Sequence, residues 1–435
     1  MSKCGWNPLG VLIAISTVLG GMYCNTRPLS LMGLAYAQQL TPVAAASVDS
    51  TSQSQPTHEA VLDRRLVAAN TRFSLKLFSQ LLKQDSDRNI FVSPSSVALA
   101  LSMVHNGANG ETQKAIASTL ELQGLSLQEI NQANAGLQQT LNNPELGVEL
   151  SIANSLWAQS GQSFKQEFLQ RIQNFYQAEL QELNFSEPTA PSRINTWVKR
   201  NTNEKIQQIV DRNELGANTV FVLLDAIYFL GNWQYPFPKQ ATKEHSFTLL
   251  NGTQKQHPMM FQQLHVPFYQ NELFQAISLP YGTGRLSMCI FLPHPGIDLQ
   301  TFYQHLNAQN WEKWIERFNH DAQDDLSEDV LVGLPRFRLE YSVELKDALK
   351  ALGMEVAFSK DADFSGMTPS HLWIDKIKHK TLVDVNEAGT VAAALTEAGG
   401  TRGGYEMIVD RPFFFTIRDN QTGTILFMGS MVEPQ

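Results

Sequence analysis

The residue types that most often carry out chemistry in enzymes do not form a recognisable catalytic motif in this sequence. It contains no G-x-S-x-G turn for a nucleophilic serine and no H-E-x-x-H pair for zinc. The glycine-rich stretch at 107–110 lacks the lysine of a phosphate-binding loop. The ten histidines show no pair at helical spacing beside a cysteine or glutamate partner. The remaining enzymatic alternative is a hydrolase whose catalytic residues are dispersed along the chain.

The segment from Thr381 to Arg411 has an unusual composition. A strand-like run at 381–385 is followed by small residues at nearly every position from 390 to 404. Alternate residues of a strand share one face, and one such set contains only small residues: Thr390, Ala392, Ala394, Thr396, Ala398 and Gly400. The larger side chains fall in the other set. The pattern predicts a segment that can insert between strands of an existing sheet without overpacking its core; the alternative is a surface loop with a short helix over 391–398.

Both helices and strands are predicted in the rest of the chain, and these elements must position the segment. Hydrophobic periodicity and capping residues predict helices over 66–83, 94–105, 164–178 and 192–209, with another beginning at Gly110. Strands are predicted over 219–230 and 286–292, and a hairpin over 412–432. Helices that come first and strands that cluster late favour an α+β architecture over a doubly wound α/β one.

Composition narrows the class of protein further. Hydrophobic residues make up 43% of the 435 residues and charged residues 17%, which indicates a sizeable buried core. With 42 acidic against 33 basic residues, the net charge of −9 excludes a general nucleic-acid binder. Three cysteines exclude a disulfide framework.

The N-terminal part has the layout of an export signal. Lys3 precedes an apolar run at 9–19, and the small-x-small sequence of Ala35 and Ala37 resembles a cleavage site. We therefore predict a signal peptide at 1–37, a Ser/Thr/Gln-rich tether at 38–62 and one domain at 63–435. The alternatives are a membrane anchor and a signal that begins at Met22. Removal of the two basic residues before position 38 leaves 31 basic against 42 acidic residues, or −11, and a single cysteine, Cys289, in an apolar run typical of a buried thiol.

Ten consecutive residues resemble the reactive-loop hinge of inhibitory serpins: Glu387, Ala388, Gly389, Thr390, Val391, Ala392, Ala393, Ala394, Leu395 and Thr396. Further stretches resemble serpin sequences in the same order and spacing, at 89–96, 154–157, 225–233, 333–337, 363–367, 379–380, 410–415 and 425–429. The resemblance covers nearly the whole chain after about residue 65. It implies a single large α+β domain with helices packed on three β-sheets and an exposed reactive loop at about 387–410.

The same resemblance implies a suicide-type inhibitor that supplies no catalytic residue and needs no cofactor. The target protease attacks a bond in the loop and forms an acyl-enzyme, and the cleaved loop then inserts into the central sheet. The implied partner is a serine protease, held covalently, or a cysteine protease. A non-inhibitory serpin that acts as a carrier, chaperone or storage protein is the alternative, although proline or bulky inward residues in the hinge, its expected signature, do not occur.

The reactive bond can be located by counting residues from either end of the loop, and the two results differ. Counting forward from Glu387 in the usual serpin register leads to Gly403, whereas counting back from Pro412 leads near Thr401. Arg402 lies between them and could enter a trypsin-like pocket with a buried carboxylate. We therefore predict Arg402–Gly403 as the reactive bond. The alternatives are Gly403–Gly404, cleavage at Thr401 or Gly403 by an elastase-like or cysteine protease, and an Arg402 that only solubilises the loop.

Ser93, Ser96, Asp225 and His379 match the serpin residues that control sheet opening. A satisfied polar residue at a strand edge is the alternative for His379. Asp225 stands where serpins commonly carry asparagine. A carboxylate beside His379 would favour the imidazolium, so we expect sheet opening to depend on pH.

We expect neither a metal site nor a heparin-like partner, because 111–124 contains one lysine and no basic stripe. We also expect a monomer that is exported to a periplasm or the extracellular space.

Overall fold

The computed structural model describes residues 63–141, 147–318, 327–388 and 404–435, which belong to one compact unit. The predicted signal peptide and tether lie outside these ranges. Within them, no helix is both long and apolar enough to cross a bilayer. The α-helices are α1 (Arg64–Gln84), α2 (Pro94–His105), α3 (Gly110–Thr119), α4 (Leu127–Leu141), α5 (Gln166–Tyr176), α6 (Ala190–Asn201), α7 (Leu299–His305), α8 (Ala308–Glu316) and α9 (Lys346–Leu349).

The strands are β1 (Ile90–Val92), β2 (Val148–Gln159), β3 (Glu179–Leu183), β4 (Phe221–Gly231), β5 (Lys243–Thr248), β6 (Gln254–Gln270), β7 (Phe274–Pro280), β8 (Leu286–Pro293), β9 (Ser327–Pro335), β10 (Phe337–Glu344), β11 (Lys376–Val385), β12 (Tyr405–Ile408), β13 (Phe413–Asp419) and β14 (Ile425–Met431). One sheet has the order β10-β11-β4-β2-β3. A second has the order β1-β14-β13-β8-β7-β6-β9-β12, with β5 also paired to β6.

The long strand β6 joins two of the three expected sheets. Its residues 259–267 pair with β9, whereas 268–270 pair with β7. The expected three sheets therefore appear as one five-stranded sheet and two further sheets that are continuous through β6. The expected α+β architecture in a single domain is confirmed.

Helix α2 lies between the two large sheets. Ser93 caps it by accepting a hydrogen bond from the Ser96 amide, Pro94 occupies the first turn, and every residue from Pro94 to His105 is buried. The helix contacts β4 on one side and β14 on the other. A helix that is apolar all round is stable only in such a doubly covered position. Cys289 is also fully buried, and burial raises the pKa of its thiol, as expected for an inert cysteine.

Both faces of β4 are covered, which explains its continuous hydrophobic run. One face of β4 belongs to the main core, through Phe221, Leu223, Ile227 and Phe229. The other face belongs to a second cluster under α6, through Val222, Leu224, Ala226 and Tyr228. The central sheet is thus closed between α2 on one face and α6 on the other.

The prediction for α6 was too long at its C-terminal end. The helix ends at Asn201, because Asn203 and Glu204 adopt positive φ angles of 46° and 62°. Thr202 accepts from the Ile206 amide at 3.2 Å and stabilises the turn. Ile206 still packs in the same cluster as α6, so the apolar period continued beyond the helix.

Candidate functional site: the seam between β4 and β11

The seam between β4 and β11 is a parallel ladder. Residues 376–383 pair with residues 222–229 in register. A segment that follows β11 and folds back would run antiparallel to β11 and, because β4 is parallel to β11, antiparallel to β4 as well. Insertion would replace one parallel ladder by two antiparallel ladders, which are slightly more stable per residue.

The hinge that leaves β11 is held at the end of this seam. The Trp233 indole Nε1 donates to the carbonyl oxygen of Asn386 at 2.8 Å, and the Trp233 amide donates to that of Ala388 at 3.0 Å. The indole is fixed in turn by stacking on Tyr281 with ring centroids 4.3 Å apart. The Asn386 side chain accepts from the Ala388 amide at 2.8 Å and forms a local turn. The first predicted hinge residues therefore lie beside the chain that emerges from β4.

Glu387 is a buried carboxylate in this hinge. Thr242 Oγ1 donates to its Oε1 at 2.7 Å, and Arg336 Nε lies 3.4 Å from its Oε2. Burial raises the pKa of Glu387, but the Thr242 hydrogen bond and the charges of Arg336 and Lys239 outweigh it and hold the pKa below its usual value. The ionised form of Glu387 thus helps to keep the hinge in place.

Ser93, Ser96, Asp225 and His379, which are distant in sequence, form one fully buried hydrogen-bonded cluster. Ser96 Oγ donates to Asp225 Oδ1 at 2.5 Å, and His379 Nδ1 lies 2.9 Å from Asp225 Oδ2. The Ser93 amide donates to His379 Nε2 at 3.0 Å, and Ser93 Oγ donates to the Leu426 carbonyl at 2.7 Å. The cluster connects α2 and β14 to both strands of the seam.

The hydrogen bonds of this cluster fix the protonation of His379. Because the Ser93 amide can only donate, Nε2 must be an unprotonated acceptor, and Nδ1 carries the proton towards Asp225. The sequence did not reveal this opposing amide. Neither serine hydroxyl bonds to His379 Nε2, so these residues do not form a nucleophilic triad.

The outer face of the seam is covered by the segment at 202–216 that follows α6. Lys378 Nζ lies 2.7 Å from Glu214 Oε1, and Lys380 Nζ donates to the Gln208 carbonyl at 2.6 Å. Both lysines project from β11, so a strand that enters beside β11 must displace these contacts.

The chain that follows the predicted loop is anchored to the other sheet. Strand β12 pairs with β9 in parallel, and the Tyr405 ring stacks on Phe268 with centroids 4.7 Å apart. At Gly404, an added Cβ would lie 2.4 Å from the Asp329 carbonyl oxygen, so only glycine fits there. The first described residue after the loop is thus packed against β9 and its neighbours.

The predicted reactive bond and most of the hinge lie outside the described residues. These are Gly389, Thr390, Val391, Ala392, Ala393, Ala394, Leu395, Thr396, Arg402 and Gly403. Glu387, Ala388 and Gly404 are described and border this segment on its two sides.

Trp233, Thr242 and Arg336 contact the hinge but were not singled out in the sequence. Each contact spans about 50 residues or more, so no local pattern indicates it. Trp233 and Arg336 did lie within stretches that resemble serpins, and that resemblance was the only available signal.

Replacing Asp225 by alanine is expected to destabilise the native state by about 3 kcal/mol, because the Ser96 hydroxyl and the His379 Nδ1 proton would be left buried without an acceptor. Asp225→Asn, the matched control, keeps an acceptor and should cost about 1 kcal/mol or less. The midpoint of urea-induced loss of the native state measures both. Equal destabilisation by the two substitutions would contradict this account of the cluster.

The Asp225→Asn variant also tests the charge of the carboxylate. Asparagine has nearly the same shape as aspartate and keeps an oxygen acceptor, but it carries no charge. If the charge of Asp225 couples sheet opening to pH, inhibition by the variant should depend less on pH than inhibition by the unmodified protein. An unchanged pH dependence of inhibition would exclude a role for the charge.

Glu387→Gln is expected to reduce stability at neutral pH by about 1 kcal/mol, because a charged hydrogen bond becomes a neutral one. The pKa of Glu387 is lowered on folding, so its contribution is present above the ordinary value of 4.5 and disappears as the pH falls through the lowered value. The difference between the two proteins should therefore vanish in acid. Denaturation midpoints from pH 3 to pH 8 measure this, with the exposed Glu406→Gln as control; a difference that persists in acid would refute it.

Comparisons with known proteins identify the family and the fold. The profile of the family described as "Serpin (serine protease inhibitor)" matches residues 68–434. Neuroserpin of Homo sapiens is 34% identical over 83% of this chain and 90% of its own length. Leukocyte elastase inhibitor of Bos taurus is 37% identical over 85% of this chain and 100% of its own. The crystal structure of the thermophilic serpin tengpin in the native state superposes with a TM-score of 0.78 at 28% identity, covering 85% and 95% of the two chains. The chain belongs to the serpin family.

Proposed function

We propose that this protein inhibits trypsin-like serine proteases by presenting Arg402–Gly403 as a reactive bond and inserting the cleaved loop between β4 and β11. The observation that carries the proposal is the seam itself. Its two strands are parallel, and the hinge that leaves β11 is held by Trp233, next to the end of β4. A strand that continues from this hinge can pair with both neighbours in the antiparallel sense.

The sequence of the loop supports the same direction of movement. Its alternate residues from Thr390 to Gly400 are all small and could enter the face covered by α2 without overpacking it. About fifteen residues at about 3.3 Å each would span about 50 Å. A protease attached to the cleaved end would travel that distance along the sheet.

The chemistry belongs to the target protease. Its serine Oγ attacks the carbonyl carbon of Arg402, the C–N bond to Gly403 breaks, and the protease histidine passes its proton to the departing nitrogen. Arg402 is then held as an ester, while the new amine at Gly403 stays with β12. Loop insertion distorts the protease before water can hydrolyse the ester, so the covalent complex persists.

The seam cluster and the hinge set the barrier to insertion in this proposal. Asp225, His379 and Glu387 hold the closed sheet through buried hydrogen bonds. The cost of breaking them keeps the loop outside until cleavage releases it. Their role would be to make the native state long-lived.

The name of one relative and the type of residue 402 bear on the target protease. Leukocyte elastase inhibitor is named for an elastase, which favours small residues such as Thr401 or Gly403 as the alternative point of cleavage. Arg402 favours a trypsin-like enzyme, because its guanidinium fits a pocket with a buried carboxylate.

Export of the mature chain is also part of the proposal and is supported by the signal-like pattern at 1–37. N-terminal sequencing of protein from the culture medium or periplasm tests it.

Incubation with trypsin tests the proposal. We expect an SDS-stable complex and a released C-terminal peptide whose mass corresponds to 403–435. The cleaved inhibitor should also have a higher melting temperature than the native protein, because insertion adds a strand to the sheet. Catalytically inactive trypsin, with its serine replaced by alanine, is the control and should give neither product.

The outcomes separate the alternatives. A peptide that begins at Gly404 would move the reactive bond by one residue. Cleavage without a stable complex would indicate a non-inhibitory serpin, and turnover of a substrate by this protein alone would indicate a hydrolase. A complex formed with elastase but not with trypsin would reject Arg402 as the specificity residue.

A further inference from the structure

A cleft of about 460 Å³ lies between α6 and the strands β2 and β3 beneath it. Its lining includes Trp157, Gln181, Arg193, Thr196, Trp197 and Arg200. The cleft is on the covered outer side of the central sheet, away from the seam cluster, and nothing in the inhibitory mechanism uses it. Its volume is in the range of small-molecule sites.

Two indoles form the apolar part of the cleft. Trp157 projects from β2 and Trp197 from α6, and their rings meet edge to face with centroids 6.1 Å apart. They are 3% and 8% exposed, so only small parts of the rings remain uncovered. The Trp197 indole Nε1 donates to Glu179 Oε2 at 3.1 Å, which fixes the ring. An apolar ring system could pack against these edges.

Two guanidinium groups lie at the rim of the cleft. Arg193 and Arg200 are exposed and seven residues apart on α6, which places them on one face of the helix about 10 Å apart along its axis. Across the described ranges of the chain, neither group forms an ion pair. The carboxylate of Glu179, at the edge of the cleft, already accepts from Trp197 and from Gln181 Nε2 at 2.9 Å.

We propose that this cleft binds an amphipathic anion, a carboxylate or sulfonate carried on an aromatic or alicyclic ring system. The anionic group would lie near Arg193 and Arg200, which offer charge-assisted hydrogen bonds, and the ring would pack on Trp157 and Trp197. Gln181 and Thr196 supply further polar contacts at the wall. A concave site with two cations fits a small anion and not an extended polyanion.

Such a ligand would bridge α6 to the sheet. Helix α6 packs on β2, and the segment that follows it covers the seam through the Lys378–Glu214 and Lys380–Gln208 contacts. A bound anion would therefore oppose displacement of α6 and slow loop insertion. This consequence rests on the proposed function, whereas binding itself does not.

The test uses 8-anilinonaphthalene-1-sulfonate and the full chain, without protease. We expect saturable binding at one site, seen as energy transfer from tryptophan to the probe. The double variant Arg193→Gln/Arg200→Gln should bind the probe at least tenfold more weakly. The control is Lys199→Gln/Lys205→Gln, which removes the same charge from α6 and the following turn but does not line the cleft, and it should bind like the unmodified protein. Unchanged circular dichroism and melting temperature verify that both variants fold.

Absence of saturable binding, unchanged binding by the arginine variant, or an equal loss in both double variants would overturn the proposed site. A separate arm measures trapping of trypsin with saturating probe, and we expect slower formation of the SDS-stable complex. If trypsin is not trapped even without the probe, the proposed inhibitory function fails while the binding result stands. If trapping occurs but is insensitive to bound probe, the site stands and its effect on α6 is refuted.

Discussion

Ala392→Arg is expected to convert this protein from the proposed inhibitor of trypsin into a substrate. Ala392 belongs to the set of alternate small residues that would face the core after insertion. An arginine there would bury a guanidinium without a partner between β4 and β11, at a cost of several kcal/mol. Insertion would slow or stop, and hydrolysis of the acyl-enzyme would then outpace trapping.

Val391→Arg is the matched control, because position 391 falls in the opposite phase of the strand. We expect this variant to retain most of its SDS-stable complex, whereas Ala392→Arg should be cleaved at the same bond with almost no complex. Densitometry of complex and cleaved bands at a fixed protease ratio gives the partition. Similar partition in both variants would show that the segment does not insert with the predicted phase.

Arg402→Ala is expected to slow inhibition of trypsin at least a hundredfold. Loss of one partner of a buried charge pair costs about 2–5 kcal/mol, and about 2.7 kcal/mol corresponds to a hundredfold change in rate. Arg402→Lys keeps a cation and should retain most of the activity, although without the bidentate contact. The second-order rate of trypsin inactivation measures the three proteins.

The same series tests the alternative reactive bonds. If Arg402→Ala inhibits trypsin as fast as the unmodified protein, Arg402 does not occupy the specificity pocket. If that variant instead gains activity against elastase, the register of the loop is right and only the specificity residue has changed. If the variant gains activity against elastase in this way, mass spectrometry should show a released peptide with the mass of 403–435.

The helices and strands of this protein could be predicted where one periodicity dominates. Helix α2 is indicated by Ser93, Pro94 and an apolar run, and these local features agree with its burial between two sheets. The end of α6 could not be predicted, because Ile206 continues the apolar pattern while the backbone has already turned at Asn203. Hydrophobic patterning reports which residues are buried and not how the backbone reaches them.

In the candidate site, too, some features could be predicted from the sequence and others could not. Sequence resemblance brought Ser93, Ser96, Asp225 and His379 together as a group, and the structure places them within hydrogen-bonding distance. It did not reveal that the Ser93 amide faces His379. Backbone amides have no sequence signature, since every residue except proline has one.

By itself, the sequence determined the two-residue period of small side chains in the loop and the buried character of α2, because each depends on residues that are close together in the chain. It also determined the family, through short stretches that keep the same order and spacing along the chain. Only the tertiary structure decided that β4 and β11 are parallel, that Trp233, Thr242 and Arg336 hold the hinge, and that α6 places two arginines beside two indoles. Those features arise from contacts between distant residues, and their geometry depends on how the whole chain packs.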